Sequence, residues 1–583
     1  MQTRSWSLIL GTALLVASSL SCRSREETPA GSDTAPVPLT NGTGLDVFPA
    51  FSPEGARLAF ASDRSGRFEV YVRDLATGKE RALTNDGREN VQPVFSPDGK
   101  QIVYHSKVRG GLWVLPEAGG EPRLLSDFGS RPSFSPDGSS IVFQSQGLGD
   151  LGATSPMAVA PSTLWIVPAK GGPAREVPVD GVTGLGAPRF LDGGREILFV
   201  VSDQRLSWAE FWSVPVAGGS PRKLLRQRRL YDPIVSPDGR SVVFGGITGT
   251  SSSGVFRASI TMEGGTALHD VTLLVRHGHA IARTPAVSPD GKFLLWSSVS
   301  TTSNVWSLPI DPASSLPTGA PVPLTSGPGR TTWPLVSPDG KRIAFGRTLP
   351  GQNTDIWMID IDGRNPVVLT SDPGADYVSD WLGGSRLLMT TSSTRHNVPM
   401  ALDLATLGQK PIGVEAPEIS SPRASPNGKE LVFHARSGTS ALNLWVSPIP
   451  GSSPRQLTFD RETIGFPAYS PDGRFVAAQV KRGEDFHVIV VPVAGGNPRM
   501  LTSERGLSWP HSFSADGSRI AFAGMRKDLW NLYWVDLAGK VEKLTDLGRV
   551  NGYVRYPSWS PTGDRIVFER GETTGNVWQI KLK

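Results

Sequence analysis

Apolar residues along this chain come in runs of four to six, and each run is cut off by Gly, Pro, Asn or Asp. Helical spacing of apolar positions is nearly absent, so the runs predict short β-strands joined by tight turns. One unit shows the order. Val91-Gln92-Pro93-Val94-Phe95 enters the tetrad Ser96-Pro97-Asp98-Gly99, followed by Ile102-Val103-Tyr104, Leu112-Trp113-Val114-Leu115, a Gly119-Gly120 turn and Arg123-Leu124-Leu125. In the tetrad Pro97 presets φ, Gly99 accepts a positive φ, and Asp98 bonds to local backbone.

The tetrad recurs about every 45 residues, at Ser52, Ser96, Ser135, Ser236, Ser288, Ser337, Ser425, Ser470, Ser514 and Ser560. Two worn copies, Leu191-Asp192-Gly193-Gly194 and Leu382-Gly383-Gly384-Ser385, stand where the period requires them and bring the count to twelve. A period of this size predicts propeller blades, each a four-stranded antiparallel sheet that buries both faces only by stacking on its neighbours. The recurring Asp residues at 98, 137, 238, 290, 339 and 472 read as a turn requirement, since one active site would not repeat with the fold.

Twelve blades allow one ring or two. Ala35-Pro36-Val37-Pro38-Leu39-Thr40 is repeated as Ala320-Pro321-Val322-Pro323-Leu324-Thr325, and Asn304-Val305-Trp306 returns as Asn576-Val577-Trp578. Both coincidences place a duplication boundary near Asp311 to Gly319, a linker-like stretch of Pro, Ala, Ser and Thr. The expected fold is all-β: two tandem six-bladed propellers, with residues 37–315 forming the first and 316–583 the second. Val37 to Thr40 is expected to supply an outer strand that helps close a ring, either its own or by meeting the chain's C-terminus.

The pattern Phe-Ser-Pro-Asp-Gly-Lys-x-Ile-Val-Tyr, then Leu-Trp-Val, Gly-Gly and Leu-Thr or Leu-Leu, resembles the TolB-type propeller repeat, a relative of the WD-type repeat, over residues 37 to 583. The resemblance implies a fold shared by binding proteins, peptidase accessory domains and a few lyases, so the fold alone does not name a function. The TolB family carries a small α/β domain ahead of one propeller, whereas residues 23–36 are too short for a domain.

Arg4 is followed by the apolar run Leu8 to Leu20 and then by Ser21-Cys22, which resembles a bacterial lipoprotein signal. The expectation is a signal peptide over 1–21 and lipidation of Cys22, the sole cysteine of the chain, with 22–36 as a flexible spacer. Ser19 stands where such signals usually carry Leu, which leaves a plain cleaved signal as the alternative. Arg23 after Cys22 points by resemblance to the outer membrane, facing the periplasm or the cell surface. The later sequence holds no run approaching the roughly 20 apolar residues of a membrane-spanning helix.

Of 583 residues, 38% are apolar and only 19% charged, with 65 Gly and 49 Pro, as a turn-rich β protein needs. The net charge of +5 is spread through turns such as Arg195 and Lys292 and forms no basic stripe, which argues against nucleic acid. Tryptophans 113, 165, 212, 306, 357, 445 and 578 recur in the third strand of a blade and are expected to be core.

Candidate chemistry is sparse. There is no Gly-x-Ser-x-Gly nucleophile elbow and no stretch outside the repeats long enough for a hydrolase domain. His277 and His279 form the one close histidine pair, without a visible third ligand. His105 and His434 follow the aromatic residue of equivalent second strands, in different rings. Histidine-lined propellers occur in oligogalacturonate lyases, so a carbohydrate-active enzyme of that type is the alternative to a binding protein.

Departures from the repeat are more telling, because structure demands sameness and a ligand does not. Next to the Pro of the innermost strand, the first ring carries Phe48, Gln92, Arg131, Asp232 and Thr284, and the second offers Trp333, Tyr377, Phe466, Trp509 and Tyr556. An aromatic collar suits a peptide or a sugar, with packing between blades as the competing reading. The inserts Gly147 to Ser162 and Thr248 to Gly265 are expected to be recognition loops. The sequence therefore points to a non-catalytic envelope lipoprotein without cofactor or metal. It would bind a protein, peptide or glycan through Trp333, Tyr377, Phe466, Trp509, Tyr556, Arg131 and Gln92, and touch the membrane only through its lipid anchor.

Overall fold

A computed structural model describes residues 35–582 except 43, 146–161, 183–184, 203–208, 228–229, 249–251, 263–264, 278–279, 392–397, 415–418, 437–440, 452, 484, 527–528 and 549–550. The expected signal segment and Cys22 lie outside the described residues, as do residues 147–161 of the first expected insert and His279. Among the described residues everything regular is antiparallel strand, apart from one 3-10 turn at Asp192–Gly194 in a worn tetrad.

The tetrads build the turns that their composition predicts. In Ser96-Pro97-Asp98-Gly99 the Ser96 hydroxyl donates to Asp98 Oδ1 at 2.6 Å and accepts from the Gln101 N–H at 3.0 Å, while Asp98 Oδ1 takes the Lys100 N–H at 3.1 Å. Gly99 has φ 70°, and Pro53 of the preceding blade lies where its Cβ would point. The turn therefore needs glycine for its backbone and also seats one blade on the next.

Each blade core is a cross-strand pair repeated twelve times. Its second-strand member is Phe60, Tyr104, Phe143, Phe199, Phe244, Trp296, Phe345, Met389, Phe433, Ala478, Phe522 or Phe568, each 0% exposed. Opposite stand Tyr71, Trp113, Trp165, Trp212, Phe256, Trp578, Trp357, Met400, Trp445, Ile489, Tyr533 and Trp306 in turn. The seven repeated tryptophans are thus in third strands as expected, but they are half-buried rather than core. The inner strand's aromatic already fills the space between blades, so the tryptophan is pushed toward the blade's outer side. There its ring face is covered by a cation, as with Arg109 on Trp113, Lys223 on Trp212, Arg347 on Trp357 and Arg570 on Trp306.

Six innermost strands, Asp46–Phe51, Asn90–Phe95, Ser130–Phe134, Leu185–Leu191, Leu230–Val235 and Ile281–Val287, pack in succession, and the sixth returns to the first. A second set of six, from Arg330–Val336 to Gly552–Trp559, closes in the same way. These are two six-bladed propellers. Ten blades are separate four-stranded sheets, while the sixth and twelfth merge into a single six-stranded one.

That merged sheet exchanges strands between the rings. Two 17-residue strands, Phe293–Pro309 and Arg565–Lys581, pair along their whole length, from Phe293↔Lys581 to Pro309↔Arg565. The first halves of each stay with their own blade, paired to Ile281–Val287 and Gly552–Trp559. Their second halves serve the other ring as its third strand, and Val37–Pro38 and Val322–Pro323 add the outer strands.

The two duplicated sequence pairs are this junction. Leu39 N–H donates to the Val577 carbonyl at 2.7 Å and Leu324 N–H to the Val305 carbonyl at 2.8 Å. Thr40 Oγ1 accepts from Val577 N–H at 3.0 Å, as Thr325 Oγ1 does from Val305 N–H at 2.9 Å. Val37–Thr40 therefore closes its own ring by meeting the chain's C-terminal strand, so both routes left open by the sequence are one.

Asp311–Gly319 does not join the rings. It connects the third and outer strands of the twelfth blade, with Ile310 buried and the Ser315 carbonyl held by Trp534 Nε1 at 3.0 Å. The chain crosses between rings inside the two long strands, so the division expected at 315/316 falls within one sheet. Thr248–Gly265 also differs from the expected loop, because Ser252–Thr261 is a strand paired with Ser241–Thr248 and with Ala267–Arg276.

Candidate functional site

Where each innermost strand meets its Pro, the ladder slips by one register at a bulge, and the residue before the Pro takes a left-handed backbone. Phe48, Gln92, Arg131, Ala187, Asp232 and Thr284 do so in the first ring, with φ between 46° and 59°. In the second ring Trp333, Ser421, Phe466 and Tyr556 follow, with φ between 47° and 54°. None is glycine, and such a conformation costs about 1–3 kcal/mol at each site. Tyr377, which no Pro follows, and Trp509 escape it because their bulges fall later, before Asp380 and Ser512.

The preceding blade caps many of these strained residues. Phe48 N–H donates to Ser297 Oγ at 3.2 Å, Arg131 N–H to Gln92 Oε1 at 2.6 Å, Ala187 N–H to Gln144 Oε1 at 2.8 Å and Thr284 N–H to Asp232 Oδ2 at 3.1 Å. In the second ring Phe466 N–H donates to His434 Nδ1 at 3.4 Å. Gln92 thus spends its carbonyl on holding its neighbour.

The first ring encloses a cavity of about 930 Å³ with Phe48, Gln92, Arg131, Arg189, Asp232 and Thr284 among its lining. Alternate blades meet across it. The Arg131 guanidinium of the third blade lies 5.5 Å over the Phe48 ring of the first and 2.6 Å from the Asp232 carboxylate of the fifth. Arg283 Nε reaches the other Asp232 oxygen at 2.7 Å. Burial alone would raise the Asp232 carboxyl, but the two guanidiniums outweigh it and hold the group well below the ordinary range. Among the described residues Arg189 donates only to the Pro188 carbonyl of its own strand, at 2.7 Å, and burial beside Arg131 pushes its guanidinium down to about 10.

The second ring is aromatic at the same level. Trp333 contacts Tyr377 and Tyr556 at centroid distances of 5.6 and 5.3 Å, while Phe466 stacks on Trp509 at 5.9 Å. The five rings predicted from sequence are brought together in these two groups, so each already packs on another. One layer on, Arg423 Nη2 lies 2.6 Å from His511 Nε2 and Arg423 Nη1 donates to the Ser379 carbonyl at 2.8 Å. Burial and the adjacent Arg423 keep His511 neutral, so its Nε2 is the acceptor.

The sequence reading passed over Arg189, Arg423 and His511. Each stands two residues beyond the collar position, where most blades carry Ala50, Val94, Ser133, Ile234, Ala286, Leu335 or Ala468. A charged or ionisable residue at that small or apolar position was the available signal.

The histidine candidates are separately accounted for. His105 Nδ1 bonds the Gly111 carbonyl at 3.0 Å within its own blade, and His434 caps Phe466. His277 bonds Ser298 Oγ and sits edge-on to Trp296 and Trp578. Among the described residues no group of three or more His, Cys, Asp or Glu gathers closely enough to hold a metal ion.

Burial pushes both His277 and His434 down to about 4. Both are neutral in the fold yet titrate near 6.5 when unfolded, so their stabilisation is intact above pH 6.5 and declines as pH falls toward 4. For buried His434 the loss is on the order of 3 kcal/mol. Urea unfolding at pH 7 and pH 4.5 should show a lower midpoint in acid, and His434→Asn, which keeps an acceptor for Phe466, should flatten that difference. An unchanged slope in the variant would show that His434 is not the buried neutral group.

A model described as the TolB beta propeller domain matches residues 31–159 and 408–582. With its two rings of tetrad-bearing blades, the chain belongs to that family. It is similar to the Tol-Pal system protein TolB of Anaeromyxobacter dehalogenans, 34% identical over 103 residues, covering 18% of this chain and 22% of that protein. An uncharacterized peptidase, YuxL, of Bacillus subtilis is 28% identical over 175 residues, covering 30% of this chain and 24% of its own length. The chain thus spans less than a quarter of each of these curated relatives. Among solved structures, a putative TolB from Agrobacterium tumefaciens aligns with a TM-score of 0.38 at 19% identity, over 47% of this chain and 99% of that one.

Proposed function

We propose that this protein is a non-catalytic binding scaffold of the cell envelope, tethered through a lipidated Cys22, that holds an envelope protein or peptide at the mouths of its two rings. One observation carries the reading. The turns and cross-strand pairs repeat from blade to blade, whereas the collar changes identity at every blade and keeps non-Gly residues in a strained backbone. The strained backbone recurs with the blades and belongs to the fold, but the side chains it presents change from blade to blade, as a working surface requires and packing does not. Relatives described as Tol-Pal system proteins and the apolar run ahead of Cys22 support the envelope and the partner class.

The test is a crosslinking pull-down from envelopes using the full-length lipoprotein beside a Trp333→Ala, Trp509→Ala, Tyr556→Ala variant. A specific protein captured by the parent and at least roughly tenfold depleted in the variant, consistent with losing aromatic anchors of about 2 kcal/mol, supports binding at the second ring. Recovery of no partner, with metal retained on the purified protein, would turn the reading toward a carbohydrate-active enzyme.

A further inference from the structure

We propose that the first ring's channel binds a carboxylate carried on an apolar body, which deepens and rests on the binding role proposed above. The collar holds three guanidiniums, Arg131, Arg189 and Arg283, against a single carboxylate, Asp232. Asp232 takes Arg131 on one oxygen and Arg283 with the Thr284 N–H on the other, and among the described residues no ion pair joins it to Arg189. Arg131 is 4% exposed, and its Nε has no hydrogen-bond partner. A guanidinium carries five donors, yet Arg189 spends only its bond to Pro188.

Arg189 is only half-buried at the cavity wall, and its unspent donors are open to an anion entering the cavity. The other carboxylates in the lining, Asp192 and Asp238, belong to turns at the rim. There Arg195 binds the first, and Ser236 with the Arg240 N–H binds the second. Around them the wall sets Phe51, Phe95, Phe134, Phe190 and the turn prolines among the tetrad serines. Beside these rings the ligand is expected to carry hydrocarbon as well as charge. These features select a carboxylate over a bare inorganic anion, and fork-shaped guanidiniums match its two oxygens.

The experiment titrates the full chain with 3-phenylpropanoate and with its neutral isostere 3-phenylpropanamide, followed by ligand-observed NMR. The acid should bind at least roughly tenfold more tightly than the amide, as hydrogen bonds to a charged group imply. Arg189→Gln should remove that preference while leaving the urea midpoint unchanged, because Arg189 bonds only its own neighbour's carbonyl, and Arg189→Lys should restore part of it. Raising the salt concentration should weaken only the acid. Ac-Ala-Phe-Ala with a free carboxyl terminus and Ac-Ala-Glu-Phe-NH2 then tell a chain end from an acidic side chain, and preference for either supports the proposal. Equal binding of acid and amide, an unaltered preference in Arg189→Gln, or displacement of the acid by equimolar inorganic phosphate would overturn it. A failed envelope pull-down with carboxylate binding intact would sink only the proposed protein partner.

Discussion

Ending the chain at Gly575 should unfold the first ring while leaving the second folded. Residues 576–581 supply the third strand of the sixth blade, pairing with Phe293–Ser298 on one side and with Val37–Pro38 on the other. Without them that blade keeps two strands, and its edge lies open. Val577 at 0% and Ile580 at 5% exposure are lost from the core, together with Trp578 stacked on Trp296. At about 1.5–3 kcal/mol for each buried apolar side chain, the loss rivals the 5–15 kcal/mol by which whole domains are stable.

Hydrogen exchange is the measurement that reads this ring by ring. Protection should collapse in Asp46–Phe51 through Ile281–Val287 and persist in Arg330–Val336 through Leu507–Phe513. Retention of first-ring protection in the shortened chain would mean that the ring closes without the exchanged strand. The exchange also links the rings in the intact protein, since each completes the other's last blade.

Replacing Asp232 by Ala should cost about 3–5 kcal/mol, the usual penalty for stranding buried charge. Arg131 and Arg283 would both lose their counter-ion, and the Thr284 N–H its acceptor. Asp232→Asn keeps an acceptor and removes only the charge, so it should lose somewhat less. Adding Arg131→Met to Asp232→Ala should recover a large part of the loss, because one stranded cation is then gone. Denaturant unfolding of the parent, Asp232→Ala, Arg131→Met and the double variant makes a double-mutant cycle. A single Asp232→Ala variant within about 0.5 kcal/mol of the parent would contradict a desolvated pair.

The pH behaviour separates this group from the histidines. The Asp232 carboxyl is held below its unfolded value near 3.9. Its contribution is therefore complete above that pH and is lost only as pH falls through the lower folded value. Acid weakening between pH 6.5 and 4.5 belongs to the buried neutral histidines, His277, His434 and His511, instead.

Much of the architecture was legible in the chain because it is local and repeated. A Ser-Pro-Asp-Gly turn depends on four neighbouring residues, and alternation within a strand depends on five or six, so twelve copies announce twelve blades. Duplicated segments such as Ala35–Thr40 and Ala320–Thr325 also betrayed a doubling. They did not reveal their own role, since a sequence match shows which residues are equivalent and not which strands pair.

What only the tertiary structure decided is non-local. That Val37–Pro38 pairs with Gln579 and Trp578, and that the two 17-residue strands trade halves, depends on residues separated by most of the chain. The same holds for the sites. The sequence by itself placed Arg131, Trp333 and Tyr556 beside the collar prolines, and its periodicity gave the turns, the blade count and the candidate positions. Closure alone brought Arg131 to Asp232 across the intervening fourth blade and left Arg189 beside them without a counter-ion, because which charges meet in a channel is set by the angle between blades and not by their order along the chain.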